Sequence, residues 1–209
     1  MVEKKDIDRG KRSIVLLAAI LLVGMAVRIV YLVQLGRSDL GGVISLDARF
    51  YRDLAMEIAS GGGLPAGAIT FNPLYPAFLA LVFRIFGDGL AAPRILQFVL
   101  GLATLSLIFI AGRRLVEPAG KGRPSGKAVG TLAAAIALLY PHLVLYEGSL
   151  VATSLVTFIP TAAFTLSLAL DQDLVGVRRI MFAGRGVPRW LSSLVLGGLL
   201  GAGALGRPN

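Results

Sequence analysis

The feature that most constrains this chain is a recurrence of apolar blocks near twenty residues long, separated by short segments where lysine and arginine gather. An α-helix rises 1.5 Å per residue, so about 20 apolar residues cross the roughly 30 Å of bilayer hydrocarbon. Residues 13–35, 91–112 and 190–205 form three such blocks. Residues 128–170 carry no interior Lys or Arg and suffice for two more, folded back near 141–149. With 56% apolar residues, 16% charged and a mean hydropathy of +0.77, the 209-residue chain is excluded from ordinary water-soluble classes. The expectation is an all-α polytopic membrane bundle of about five transmembrane helices.

Charge sets the expected orientation. If the chain crosses outward first and alternates, the inner segments hold Lys4, Lys5, Arg9, Lys11 and Arg12, then Arg113, Arg114, Lys121, Arg123 and Lys127, then Arg178, Arg179, Arg185 and Arg189. Fourteen of the 21 cations then face the cytoplasm, as the positive-inside rule requires. The first block is long, is interrupted by Arg28 and lacks a small-x-small site before Gly36, so it reads as an uncleaved anchor rather than a signal peptide. The net charge of +9 is spread between apolar blocks rather than along one face, which argues against nucleic acid as a partner. The absence of cysteine excludes disulfides, thiolate nucleophiles and Cys-ligated zinc.

Residues 36–93 then form a long outer loop. Within it, residues 73–87 (PLYPAFLALVFRIFG) are short for a span, contain Pro76 and carry Arg84 near the end, and are expected to lie at or dip into the outer surface. Counting them as a crossing would place the next two basic loops mostly outside. Residues 47–59 (DARFYRDLAMEIA) read as an amphipathic helix, with Phe50, Tyr51, Leu54, Ala55 and Ile58 at helical spacing. Asp47 in its first turn either caps backbone N–H groups or faces a cleft at the membrane surface as a reactive carboxylate. Residues 60–67 (SGGGLPAG) end that helix, and FNPLYP at 71–76 supplies aromatics suited to headgroup depth.

Four residues in or beside the spans carry chemical information. Arg94, at the outer mouth of the third apolar segment, either snorkels to lipid phosphate or meets an anionic substrate. Glu147, at the turn between two spans, needs water, a cation or a ligand. Arg28 is expected to pair with an outer-loop carboxylate. His142, the only histidine, cannot build a His-rich metal centre and reads as an interface residue. Asp47 and Glu147 are too few to specify a divalent ion, and no cofactor or metal is expected. GRPSGKA at 122–128 departs from a phosphate-binding loop in its glycine spacing and in Ala128. GGLLGAGALG at 197–206 has small-xxx-small spacing and is expected to make a close helix contact.

In chain order the motifs are an Arg-bearing anchor, an outer Asp followed by Tyr51, Ala55 and Gly61, FNPLYP, Phe86-Gly87, AAPR at 91–94, GRRL at 112–115, YP at 140–141 and GALGRP at 203–208. Together they resemble the N-terminal part of the GT-C membrane glycosyltransferases, specifically the protein-mannosyltransferase and aminoarabinose-transferase-like group, glycosyltransferase family 39 in the broad sense. The resemblance runs along nearly the whole chain. It implies transfer of a sugar from a polyprenyl-phosphate donor to a protein, lipid or glycan acceptor at the outer face of the plasma (inner) membrane. It implies Asp47 and Glu147 as catalytic carboxylates, Arg94 and Arg207 as donor-phosphate ligands, and Tyr51, Asn72, Tyr75 and His142 as pocket residues. Here Ala48 stands where many relatives have Glu, and Thr153 where they often have an acid, with Glu147 six residues earlier.

The implied chemistry is a single inverting displacement in which a carboxylate takes the acceptor's proton and an arginine holds the departing phosphate. Five spans are about half the usual number in that group. Residues 1–209 are therefore expected to be one part of a single transmembrane domain, with later helices lying beyond them. The rival expectation is a transporter or flippase for a lipid-linked or anionic solute. Such proteins tend to place charges at mid-membrane and to show inverted repeats, whereas here the charges gather at the outer rim.

Overall fold

A computed structural model describes residues 2–63, 72–116, 125–174 and 189–206. Among them there are only helices: α1 (Val2–Arg37), a 3-10 turn (Asp39–Gly42), α2 (Leu46–Ala59), α3 (Leu74–Phe86), α4 (Ala91–Val116), α5 (Gly126–Leu138), α6 (Pro141–Gly148), α7 (Thr153–Leu174) and α8 (Arg189–Leu205).

Three helices are long and apolar enough to cross a membrane, namely Ile14–Arg37, Ala91–Val116 and Thr153–Leu170. The pair Gly126–Leu138 and Pro141–Gly148 makes a fourth if it is one span bent by 55°. The bend has a local cause: Pro141 opens α6, and Tyr140 before it adopts extended backbone at φ −88°, ψ 97°, because the proline ring disfavours helical geometry in its predecessor. The apolar part of α8, Ser193–Leu205, is 13 residues long and about 20 Å in length, below a full crossing. Among the described residues there are thus three to four candidate spans, where about five were expected along the chain. Helix α1 bears the mark of lipid exposure: Ile14, Leu22 and Val23 are all open, an arrangement stable only against hydrocarbon.

α4 is the organising strut, packing against α5, α7, α1 and α6. Its closest approach is to α5, where glycine is required on both sides. A Cβ at Gly130 would fall 2.3 Å from the Phe109 carbonyl oxygen, and one at Gly112 would fall 3.0 Å from the Gly130 Cα. This is the close helix contact that small residues permit in a bilayer. The stripe expected to play that part, residues 197–206, does so only towards its end: an added Cβ would lie 3.6 Å from Ile159 at Gly203 and 3.3 Å from Leu74 at Gly206, whereas at Gly197, Gly198 and Gly201 it meets nothing within 4 Å. Spacing marks backbone that could approach closely; α8 packs on α7, but Gly197, Gly198 and Gly201 lie off that contact.

The segment between α1 and α4 folds much as its pattern indicates. Ser45, not Asp47, caps α2, its hydroxyl accepting from the Ala48 N–H at 3.3 Å. Ala48, Leu54 and Ala55 are buried, Tyr51 and Ile58 half-buried, while Phe50 turns outward. The helix ends at Ser60, followed by Gly61 at φ +96°, a conformation that side chains with a Cβ resist. α3 packs along α2 and is 13 residues, too short for a full crossing. Together they cover the core of the molecule: Ala48, Ala55, Tyr75, Leu79, Ala80 and Phe83, joined by Leu150, Leu155 and Ile159 from the other side. Leu64–Gly67, Phe71, residues 117–124 and Arg207 lie outside the described residues.

Candidate functional site

Four polar side chains that the apolar segments carry, Arg28, Arg94, Gln97 and Glu147, gather towards one end of the bundle. There α1 ends, α4 begins, α6 gives way to α7, and α2 and α3 lie across the top. The first element is an ion pair. Both oxygens of Glu147 accept from Arg28, Nε and Nη2 each at 2.7 Å, and Arg28 Nη1 donates to the Gly24 carbonyl at 3.1 Å. Arg28 is 3% exposed and Glu147 4%. The expected partner of Arg28 was an outer-loop carboxylate; the true partner comes from the opposite hairpin, 119 residues away. A planar guanidinium matches a carboxylate in this two-bond fork, which neutralises both charges inside the apolar layer.

Glycine makes room for it. A Cβ on Gly101 would fall 2.0 Å from Glu147 Oε1 and 2.5 Å from Arg28 Nη2, so α4 can pass beside the pair only with hydrogen at that position. Gly148 is constrained likewise by Tyr31, whose ring carbon would lie 2.3 Å from an added Cβ.

The second element is Arg94, which is 7% exposed. Its Nε donates to the Gly148 carbonyl at 3.0 Å and its Nη1 to the Gly41 carbonyl at 3.0 Å. No carboxylate of the described residues lies within 4.0 Å of its guanidinium. Carbonyl dipoles orient this group without cancelling it, so Arg94 stands at the loop-bearing end as a fixed net positive charge. Arg28 and Arg94 are thus chemically opposite: one is matched and the other is not.

The third element is a relay of contacts from α4 to α2. Gln97, one turn beyond Arg94 and fully buried, donates from Nε2 to the Tyr75 hydroxyl at 3.1 Å and to the Val151 carbonyl at 3.0 Å. Tyr75, also fully buried, meets Tyr51 edge-on with centroids 5.0 Å apart. Tyr51 lies one turn after Asp47 on α2. Burial raises the Tyr51 hydroxyl above its ordinary pKa, and the neighbouring Asp47 charge raises it further. Asp47 itself is exposed and makes no hydrogen bond or ion pair with the described residues. Asp47 and Arg94 thus belong to one end of the molecule, linked through Tyr51, Tyr75 and Gln97.

The turn between α6 and α7 holds these groups in place. It supplies the Gly148 carbonyl to Arg94 and the Val151 carbonyl to Gln97. Between them Leu150 adopts φ +51°, unusual for a branched residue, and is kept there by burial of its side chain (1% exposed) under α2 and α3.

The remaining expected pocket residues take other parts. Asn72 is buried; its Nδ2 donates to the Gly206 carbonyl at 2.8 Å and its Oδ1 accepts from the Tyr75 N–H at 3.2 Å, tying the start of α3 to the end of α8. His142 is exposed at the start of α6, its ring 5.1 Å from Tyr140 and 6.2 Å from Tyr146, and no contact brings it to this cluster. Sequence reasoning missed Gln97, Gly101, Gly148 and Leu150. An amide three residues after Arg94 inside an apolar span was the available signal for Gln97. Nothing local distinguishes the two glycines or the leucine. No group of three or more His, Cys, Asp or Glu side chains among the described residues could hold a metal ion.

Among the described residues, fold and site together define an all-helical arrangement with membrane-spanning character, carrying one buried arginine paired with a carboxylate, Arg28, and one buried arginine held by carbonyls alone, Arg94. No protein-family model, no curated protein and no solved structure matches the chain.

Proposed function

We propose that this chain forms the donor-binding part of a membrane glycosyltransferase that takes a sugar from a polyprenyl-phosphate carrier at the outer face of the bilayer. The observation that carries the reading is Arg94: a desolvated guanidinium, oriented by two carbonyls and without a counter-charge among the described residues, is an unfinished site that a phosphate would complete. Asp47 supports it as an open carboxylate at the same end, placed to accept a proton.

In the proposed reaction an acceptor hydroxyl or amine attacks the anomeric carbon as its proton passes to Asp47. The bond from that carbon to the phosphate oxygen breaks, and the prenyl phosphate leaves with its charge held by Arg94. The stereochemistry inverts in one step. Glu147, both of whose oxygens are taken by Arg28, enters as a positioning residue that fixes the turn holding Arg94, not as a second reacting carboxylate. The isoprenoid chain would lie in lipid beside the exposed apolar faces. Outward placement of this end rests on the distribution of lysine and arginine.

The test is turnover of a polyprenyl-phosphate sugar by the full-length protein in nanodiscs. Asp47→Asn is expected to lower the rate by about 10²–10⁴-fold, the usual worth of a positioned base. Arg94→Ala is expected to lower it by about 10²–10³-fold, as for a lost charge-stabilising donor. Undiminished sugar release by the Asp47→Asn protein would overturn the assignment.

A further inference from the structure

Below the ion pair, α4, α6 and α7 enclose a cavity of about 10 Å³, lined chiefly by Gly101, Thr104, Leu105, Glu147, Ser154 and Thr157. That volume is at the threshold for one water, and occupancy then depends on whether the walls supply two to four polar partners. Ser154 is the decisive wall residue. It is 6% exposed, and its Oγ has no hydrogen-bond partner among the described residues. A hydroxyl left unsatisfied inside a membrane protein is costly, because neither lipid nor core can replace the lost bond.

Glu147, Thr104 and Thr157 in the other walls offer acceptors and no free donor. Each Glu147 oxygen takes one bond from Arg28 and keeps a further lone pair. The Thr104 hydroxyl donates to the Leu100 carbonyl at 2.8 Å, and that of Thr157 donates to the Thr153 carbonyl, so both oxygens can still accept. Ser154 needs an acceptor for its proton, while Glu147, Thr104 and Thr157 need donors. One water satisfies both demands; an apolar group satisfies neither.

We propose that this cavity is a specific single-water site, in which the water accepts from Ser154 and donates to the Glu147 carboxylate and to a threonine hydroxyl. The water joins α7 to the Arg28–Glu147 fork, which otherwise ties only α1 to α6. It also gives the carboxylate a third polar contact without opening it to bulk solvent. The site stands independently of the glycosyltransferase reading, since it uses no group assigned to donor or acceptor.

X-ray hydroxyl-radical footprinting of the full-length protein in nanodiscs tests this, because radicals formed from a bound water oxidise the side chains beside it even when bulk solvent cannot reach them. Leu105 lines the cavity and is 2% exposed; Leu79, 0% exposed in the apolar core, is the matched control. The expected result is several-fold greater oxidation of Leu105 than of Leu79, with isotopically labelled oxygen incorporated from water. Ser154→Val, which fills the space and removes the donor, is expected to bring Leu105 down to the Leu79 level. Equal, background oxidation of the two leucines in the unmodified protein would overturn the proposal. So would Leu105 oxidation that persists unchanged in a folded Ser154→Val protein.

Discussion

Removing one member of the Arg28–Glu147 pair should be far more damaging than removing both. The pair is made through two contacts of 2.7 Å between side chains only 4% and 5% exposed. Replacing Glu147 by Leu leaves a guanidinium inside the bundle with only the Gly24 carbonyl for company among the described residues, and a lone buried charge of this kind costs about 3–5 kcal/mol. At roughly 1.4 kcal/mol per decade, that shifts the folding equilibrium by about 10²–10⁴-fold. Replacing both residues with apolar ones of similar volume, Arg28→Met with Glu147→Leu, removes the charges together and should lie within about 1 kcal/mol of the unmodified protein. The assay is unfolding in mixed micelles of rising denaturing-detergent content, followed by circular dichroism at fixed pH, with all four members of the double-mutant cycle measured. A coupling free energy below about 0.5 kcal/mol would refute the argument, since independent sites are additive to that level.

Three further outcomes follow from the same geometry. Gly130→Ala should be strongly destabilising, because its methyl would sit 2.3 Å from the Phe109 carbonyl oxygen, whereas Gly197→Ala meets open space and should be neutral or slightly stabilising; thermal melts of the two variants separate these cases. Burial raises the Tyr75 hydroxyl above its ordinary pKa of 10.0, the bond from Gln97 partly offsets this, and Tyr51 adds to the rise. The folded state therefore keeps a proton that the unfolded chain loses, so stability is intact below 10.0 and falls as pH rises above it. That slope should be shallower in Tyr75→Phe, as melts between about pH 9 and about pH 11 would reveal. Finally, reporter domains fused at Gly62 and at Gly122 should fall on opposite sides of the membrane, outside and inside respectively, and the same side for both would break the proposed topology.

The helices themselves were legible from local pattern. Uncharged stretches of twenty residues announce spans because bilayer thickness imposes length, and the period of α2 picks out Leu54 and Ala55 because one side of a surface helix must be dry. Ser45 caps α2 rather than Asp47 because its hydroxyl, one residue before the helix, reaches the Ala48 N–H in the first turn. The threonines at 157, 161 and 165 sit inside an apolar helix without penalty because each donates to the carbonyl four residues earlier.

Residue types alone established that the chain is helical, apolar enough for membrane and equipped with few polar groups inside its spans. Which of those groups meet was decided only in three dimensions. Arg28 and Glu147 are 119 residues apart, and their pairing depends on α4 offering a glycine, not a side chain, where it passes beside them. The same packing leaves Arg94 with carbonyls in place of a carboxylate. Hydrophobicity acts on each segment separately and can be read along the chain. Electrostatic matching is short-ranged inside a low-dielectric bundle and is settled by which helices touch.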